Sequence, residues 1–372
     1  MKRTIYLGAL ALAALTMTNC SNDESVYSAA TETQKAIGFE TYATRPNQGR
    51  GLVTDITALQ TSSFGVLGYE YTDSWTSMLS PDFMYNQQIT YNTVTSKWVY
   101  TPVKLWPEKK KVAFFAYAPY NGSGITLTKK AAGDPKFTYT LPVANPENMI
   151  DIVADQQRDK TYTNTSGTVS FTFGHILSRV GFGVKTPKVE KTKIVLKGME
   201  LTVADKSNLY SEATYNMADA AWEYNGGKQS TTGLALPGNL NTASVSMTGG
   251  YSQTGLLLTN EKADPFKTEE GVDNYWYLIP SKSGEDIDLS KFSVKFTYDL
   301  VTSVDGTTWD CPTEQQGLTK TITLDTSETA SLALAAGQAY DFVFSIGPKV
   351  ISFDVTAITA WGGPTDQDIT VE

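Results

Sequence analysis

Apolar and polar residues alternate at a spacing of two along much of this chain, the pattern of strands with one face on a core. The pattern is clearest in residues 169–184, V-S-F-T-F-G-H-I-L-S-R-V-G-F-G-V. There Val169, Phe171 and Phe173 share one face, and then the phase flips. Ile176, Val180, Phe182 and Val184 share the other. A one-residue slip of that kind needs a bulge or a strand that changes sheets, and Gly174 is the residue expected to permit it. The stretch reads as the first strand of a second β-sandwich domain.

Before it, residues 37–43 alternate as a strand and run into T-R-P-N-Q-G-R-G, which cannot continue a sheet because Pro46 lacks a donor. Leu52, Thr54, Ile56 and Ala58 alternate again, residues 63–69 make a strand, and residues 82–98 make a hairpin. Residues 112–118 are seven apolar residues in a row, the signature of a strand covered on both faces. The three lysines before them read as gatekeepers against aggregation. Residues 137–141 and 150–154 are further strands, and the polar residues 156–167 read as a linker.

Beyond the central stretch, strands are expected over residues 193–201, 244–247, 255–258, 275–280, 292–298, 318–324 and 339–346. The most regular strand comes last. Ile351, Phe353, Val355, Ala357 and Trp361 lie on one face, with Ser352, Asp354 and Thr356 on the other. Fully burying the four larger side chains contributes on the order of 6–12 kcal/mol before entropy is counted. That is ample for an ordinary final strand, and equally for a strand lent to a neighbouring molecule.

The chain has 372 residues, enough for two domains with separate cores. Abundant tyrosine, threonine and glycine, with no long amphipathic helical pattern after the first thirty residues, favour an all-β protein. The net charge of −9 and the scattered lysines leave no basic patch for nucleic acid. His175 is the single histidine, so a site with several histidine ligands cannot be built, and a Ser–His–Asp triad could use no other. A structural role for it leads, as a core role does for Trp106. Asp151 and Asp155 are the candidate paired carboxylates, without a spacing that fixes them. No calcium loop of the Asp-x-Asp-x-Asp-Gly type is present. Tyr275, Trp276 and Tyr277 are the best candidates for stacking on a sugar, since alternation leaves at least one facing outward, although a core role leads for them too. No cofactor is expected.

The N-terminus reads as an address. Met1-Lys2-Arg3 is a charged region, residues 5–15 are apolar and too short to span a bilayer, and Cys20 is followed by Ser-Asn-Asp-Glu. This resembles a bacterial lipoprotein signal, cleaved before Cys20 and lipidated on it. The alternative is an ordinary secretory signal with a coincidental cysteine. Residues 1–20 are then the signal peptide and residues 21–36 a polar tether. With Cys20 modified, Cys311 is left as a lone thiol.

Several stretches together resemble the fimbrillin family, the pilins and pilus-associated lipoproteins of Bacteroidetes. They are L-W-P-E-K-K-K-V-A-F-F-A-Y-A-P-Y at 105–120, D-I-V-A at 151–154, F-T-F-G-H-I-L-S-R-V-G-F at 171–182, Y-L-I-P at 277–280 and the closing residues 355–361. The resemblance implies two tandem transthyretin-like β-sandwich domains, here 37–162 and 163–372, on a lipoprotein of the outer membrane and cell surface. It also implies donor-strand exchange. A protease removes the first strand, residues 37–43, and the groove accepts a strand from the next subunit, here Ile351, Phe353, Val355, Ala357 and Trp361. Arg50 is the expected cut, with Arg45 second because Pro46 follows it. The implied partners are other pilin subunits in a head-to-tail polymer, the outer membrane through lipid on Cys20, and host or bacterial surface ligands. The expected function is a structural or accessory pilus subunit that supports adhesion, not an enzyme. The alternative function is a surface glycan-binding lipoprotein.

Overall fold

In the computed structural model, residues 35–43, 56–205, 207–224, 233–266, 274–324 and 331–358 are described. In chain order the first strands are β1 (Gly38–Ala43), β2 (Phe64–Tyr71), β3 (Met84–Asn92), β4 (Lys97–Val99) and β5 (Lys111–Ala118). There follow β6 (Ile125–Leu127), β7 (Lys136–Thr140), β8 (Val153–Lys160), β9 (Thr168–His175) and β10 (Ser178–Lys185). Next come β11 (Thr192–Val203), β12 (Glu212–Asn216), β13 (Ala221–Glu223), β14 (Ala243–Ser246), β15 (Ser252–Leu257) and β16 (Trp276–Leu278). The last are β17 (Ile287–Asp288), β18 (Phe292–Ser303), β19 (Trp309–Asp310), β20 (Leu318–Thr323), β21 (Ser331–Leu332), β22 (Ala339–Ile346) and β23 (Ile351–Ile358). Among the described residues the α-helices are two short pieces, α1 (Ile56–Ser62) and α2 (Tyr162–Thr165). The protein is nearly all-β.

Four larger sheets carry the architecture. Seven strands order as β1-β9-β8-β5-β2-β3-β4, and four as β16-β10-β22-β23. A longer sheet orders as β14-β15-β11-β18-β19, with β20 also on β18, and a small one as β13-β12-β7-β6. Strand β5 explains the seven-residue apolar run. Val112, Phe114, Ala116 and Ala118 enter one core, while Ala113, Phe115 and Tyr117 enter another on the opposite face. The first of these cores also holds Ile37, Phe39, Phe64, Val169, Phe171 and Phe173. The second runs on through Val180, Phe182, Trp276, Phe342, Phe344 and Phe353.

The flip near the middle of the chain is a change of sheet. Strand β9 pairs with β1 and β8, whereas β10 pairs with β16 and β22. Gly174 is not what allows it. Its φ is not in the left-handed region, and a Cβ there would meet nothing within 4 Å. The chain turns at Ile176 and Leu177, both buried, which lie between the two strands. The first strand of this stretch therefore belongs to the sheet of the chain's first half.

Two other local expectations are corrected. The alternation at residues 52–58 does not give a strand at its end, where α1 forms instead with Leu59 buried three residues after Ile56. The polar residues 156–167 are not a linker throughout, because β8 runs to Lys160 and α2 follows under a capping box from Thr161. Polar side chains hold β8 in place. Arg158 donates to Gln156 and to the Ala218 carbonyl, and its guanidinium lies 4.4 Å from the Trp75 ring centroid and 5.6 Å from that of Phe115.

Candidate functional site: the two terminal strands

Strand β1 lies at the end of its sheet and runs parallel to β9, from Gly38 opposite Thr168 to Ala43 opposite Phe173. Ahead of it the chain is held from the other side. Ile37 N–H donates to Lys104 O at 2.9 Å, and Trp106 N–H donates to Lys35 O at 3.0 Å. The Tyr100 hydroxyl donates to Ile37 O at 3.0 Å, and burial raises its pKa, which keeps it a neutral donor. Trp106 is buried, and its indole N–H donates to Gly167 O at 3.1 Å, so it is part of the core as expected.

The inward face of this strand carries Ile37, Phe39 and Thr41, exposed by 2%, 4% and 7%. Phe39 is the anchor. Its ring centroid lies 5.4 Å from Tyr100, 5.7 Å from Phe114, 5.9 Å from Phe171 and 6.4 Å from Phe64. These four rings come from β2, β5, β9 and the segment after β4. Without Phe39 they would line an apolar slot.

What β9 has apart from β1 is little. It pairs with β8 only at His175 and Gly174, opposite Val153 and Ala154. Beyond that point the ladder between them stops, and the Asp155 carboxylate accepts Thr172 N–H at 2.7 Å. Most of the ladder on β9 is thus supplied by the first strand of the chain.

The last strand is also an edge. Strand β23 pairs antiparallel with β22 over its whole length, from Ile346 opposite Ile351 to Ala339 opposite Ile358, and its sheet ends there. Ile351 and Phe353 are buried, Val355 is half-buried, and Ser352 and Asp354 face solvent. Phe353 packs 5.4 Å from Phe342 and 5.2 Å from Phe344. Ala357 stands opposite Tyr340 in the ladder. Trp361, Cys20, Arg45 and Arg50 lie outside the described residues.

The other candidates resolve into packing. His175 Nδ1 lies 3.0 Å from the Asp151 carboxylate, with both side chains nearly buried. His175 lines a cleft of about 470 Å³ together with Tyr215, Trp222 and Tyr224. Trp222 donates its indole N–H to Ile176 O, and the Tyr224 hydroxyl donates to Pro280 O. Asp155 is engaged by Thr172 and by Gln157. Of the three aromatic residues 275–277, Trp276 and Tyr277 are both buried at 1% exposure, and Tyr275 is half-buried under Arg179. Cys311 is a free, buried thiol, which burial pushes up to about 11, far from a reactive thiolate at neutral pH.

The chain is thus nearly all-β, and its first and last described strands both stand at sheet edges. The family follows from comparison with known proteins: the fimbrillin-like family model matches residues 53–361, and the chain belongs to that family. It is similar to the fimbrium subunit Fim1C of Phocaeicola vulgatus, with 28% identity over 387 residues and 98% of each chain covered. The crystal structure of a fimbrial protein from Bacteroides vulgatus matches with 27% identity and a TM-score of 0.64, covering 87% of this chain and 98% of that one.

The rings that surround Phe39 were not singled out from sequence as a set. Alternation marks Phe171 as inward-facing and the apolar run 112–118 marks Phe114 as covered, but nothing local says that Tyr100 and Phe64 meet them.

Proposed function

We propose that this chain is a subunit of a bacterial surface fimbrium that assembles by exchange of terminal strands and supports adhesion. In this reading it is exported as a lipoprotein through Cys20 to the outer membrane. Its two transthyretin-like sandwich modules, expected at residues 37–162 and 163–372, divide instead at Ile176 and Leu177, since β9 pairs with β1 and β8 of the first. Cleavage after Arg50, with Arg45 as the second choice, frees the first strand. The groove then receives Ile351, Phe353, Val355, Ala357 and Trp361 of another subunit.

The observation that carries the reading is the dependence of β9 on β1. Its ladder with β1 runs from Thr168 to Phe173, and its ladder with β8 covers two residues. Taking β1 away leaves an unpaired strand beside an aromatic slot, a surface that demands a complementary strand. A supply of that kind from the C-terminus of another copy is head-to-tail and does not close, so it makes a filament. The fimbrial names of the similar proteins agree with such a role.

N-terminal sequencing of material from the cell surface tests this. The expected result is a polymer whose subunits begin at Gly51 and an Arg50→Ala variant that stays monomeric. Polymer with the first strand intact would sink the reading.

A further inference from the structure

The first and last strands are two copies of one pattern. Ile37-Gly-Phe39-Glu-Thr41-Tyr-Ala43 and Ile351-Ser-Phe353-Asp-Val355-Thr-Ala357 align without a gap. Isoleucine, phenylalanine and alanine recur at three of the four alternate positions, and an acidic residue, Glu40 or Asp354, holds the same outward place. Both acidic residues are exposed.

The position that differs is informative. Thr41 is buried, and its Oγ1 has no hydrogen-bond partner among the described residues. An orphaned buried hydroxyl weakens the strand that carries it. Valine has the same shape without the hydroxyl, and Val355 stands at the matching place. The other departure is tolerable. Gly38 is not in the left-handed region, and a Cβ there would come 3.0 Å from Thr168 Oγ1, a side-chain atom. A small rotation of Thr168 admits Ser352 and lets the two hydroxyls hydrogen-bond.

We propose, resting on the exchange reading above, that residues 351–357 of a second copy of this chain replace β1 in a single register, parallel to β9. Phe353 takes the slot of Phe39, and Val355 in place of Thr41 makes the incoming strand the better occupant. A slip of one residue would turn Phe353 out of the slot. A slip of two would put it where Ile37 or Thr41 sits.

The register is read by disulfide trapping. Acceptor protein carrying Ser170→Cys is cut at Arg50 and mixed with full-length donor carrying Asp354→Cys, in a Cys20→Ser background. Ser170 pairs with Glu40 in β1, and both are exposed, so Glu40→Cys with Ser170→Cys in the uncut chain checks the geometry. An intersubunit disulfide with Asp354→Cys, and none with Ser352→Cys or Thr356→Cys, is expected. Oligomers trapped at 352 or 356, or trapped at none of the three, overturn the register while leaving strand exchange standing. Failure of every pair to form an oligomer at all would sink the exchange reading and this proposal with it. A Val355→Thr donor should assemble about tenfold more weakly, the scale of one orphaned hydroxyl. Unchanged assembly would remove Val355 from the argument.

Discussion

Phe39 shows at one residue how tightly the first strand is held. Its ring sits among Phe64, Tyr100, Phe114 and Phe171, so truncation leaves a cavity inside a ring cluster. Phe39→Ala in the uncut protein should cost about 3–5 kcal/mol in urea unfolding. A loss below about 1 kcal/mol would mean that the slot collapses and has no fixed shape to offer a second phenylalanine.

Tyrosines at the same scale predict a response to alkali. Burial pushes Tyr117 and Tyr215 up to about 12 from 10.0. The folded chain thus holds these protons to higher pH than the unfolded chain does. Their contribution is complete below pH 10 and is lost as pH rises towards 12, on the order of 2–3 kcal/mol for each. Urea midpoints measured across that window, with phenolate absorbance, should fall as pH rises. A flat midpoint would mean that these hydroxyls titrate like free tyrosine.

At the scale of elements, the sequence was legible wherever one face of a strand met a core. Strands β5, β18, β22 and β23 follow the alternation or the apolar run that marked them. Strand β8 was legible only at its start, Val153 and Ala154, because its continuation through polar residues carries no alternating apolar signal. Residues 155–158 are half-buried, and Arg158 reaches across to Ala218. Helix α1 was missed for a related reason: a few apolar residues two apart fit either period. The edges that form the candidate site were legible only in part. Pattern marks a strand, but its neighbours in a sheet come from distant parts of the chain. Strand β12 illustrates this, pairing with β7 on one side and β13 on the other. Thr214 lies in the middle of it, so Thr214→Pro removes a donor from a strand bonded on both sides. It should cost about 3 kcal/mol or more, read as a lower melting temperature. No change would mean that the pairing contributes nothing to the fold.

At the scale of the whole molecule, the two halves of the sequence are knitted together. The hairpin β12–β13 comes from the second half and completes the sheet that β6 and β7 begin in the first. Lys136 of β7 bonds to Glu223 of β13 at 2.7 Å, and Asn216 of β12 donates to Asp134 at 3.0 Å. One core runs from Phe115, Tyr117 and Tyr139 through Tyr215 to Phe342 and Phe353 without a break. A cut at residue 162 would strand β9 from its neighbours β1 and β8, and β12 from β7. A fragment of residues 163–372 should therefore fail to fold alone, giving an unfolded spectrum by circular dichroism. Calorimetry on the uncut protein should show one transition whose van't Hoff and calorimetric enthalpies agree. Two separable transitions, or a folded fragment, would mean that the shared sheet is a weak contact between independent modules. The distinction bears on assembly. If the halves melt as one, then under the proposed exchange a strand captured beside Phe171 in the first half would be mechanically continuous with a strand lent beyond Ile346 in the second, and load along such a filament would pass through the shared core.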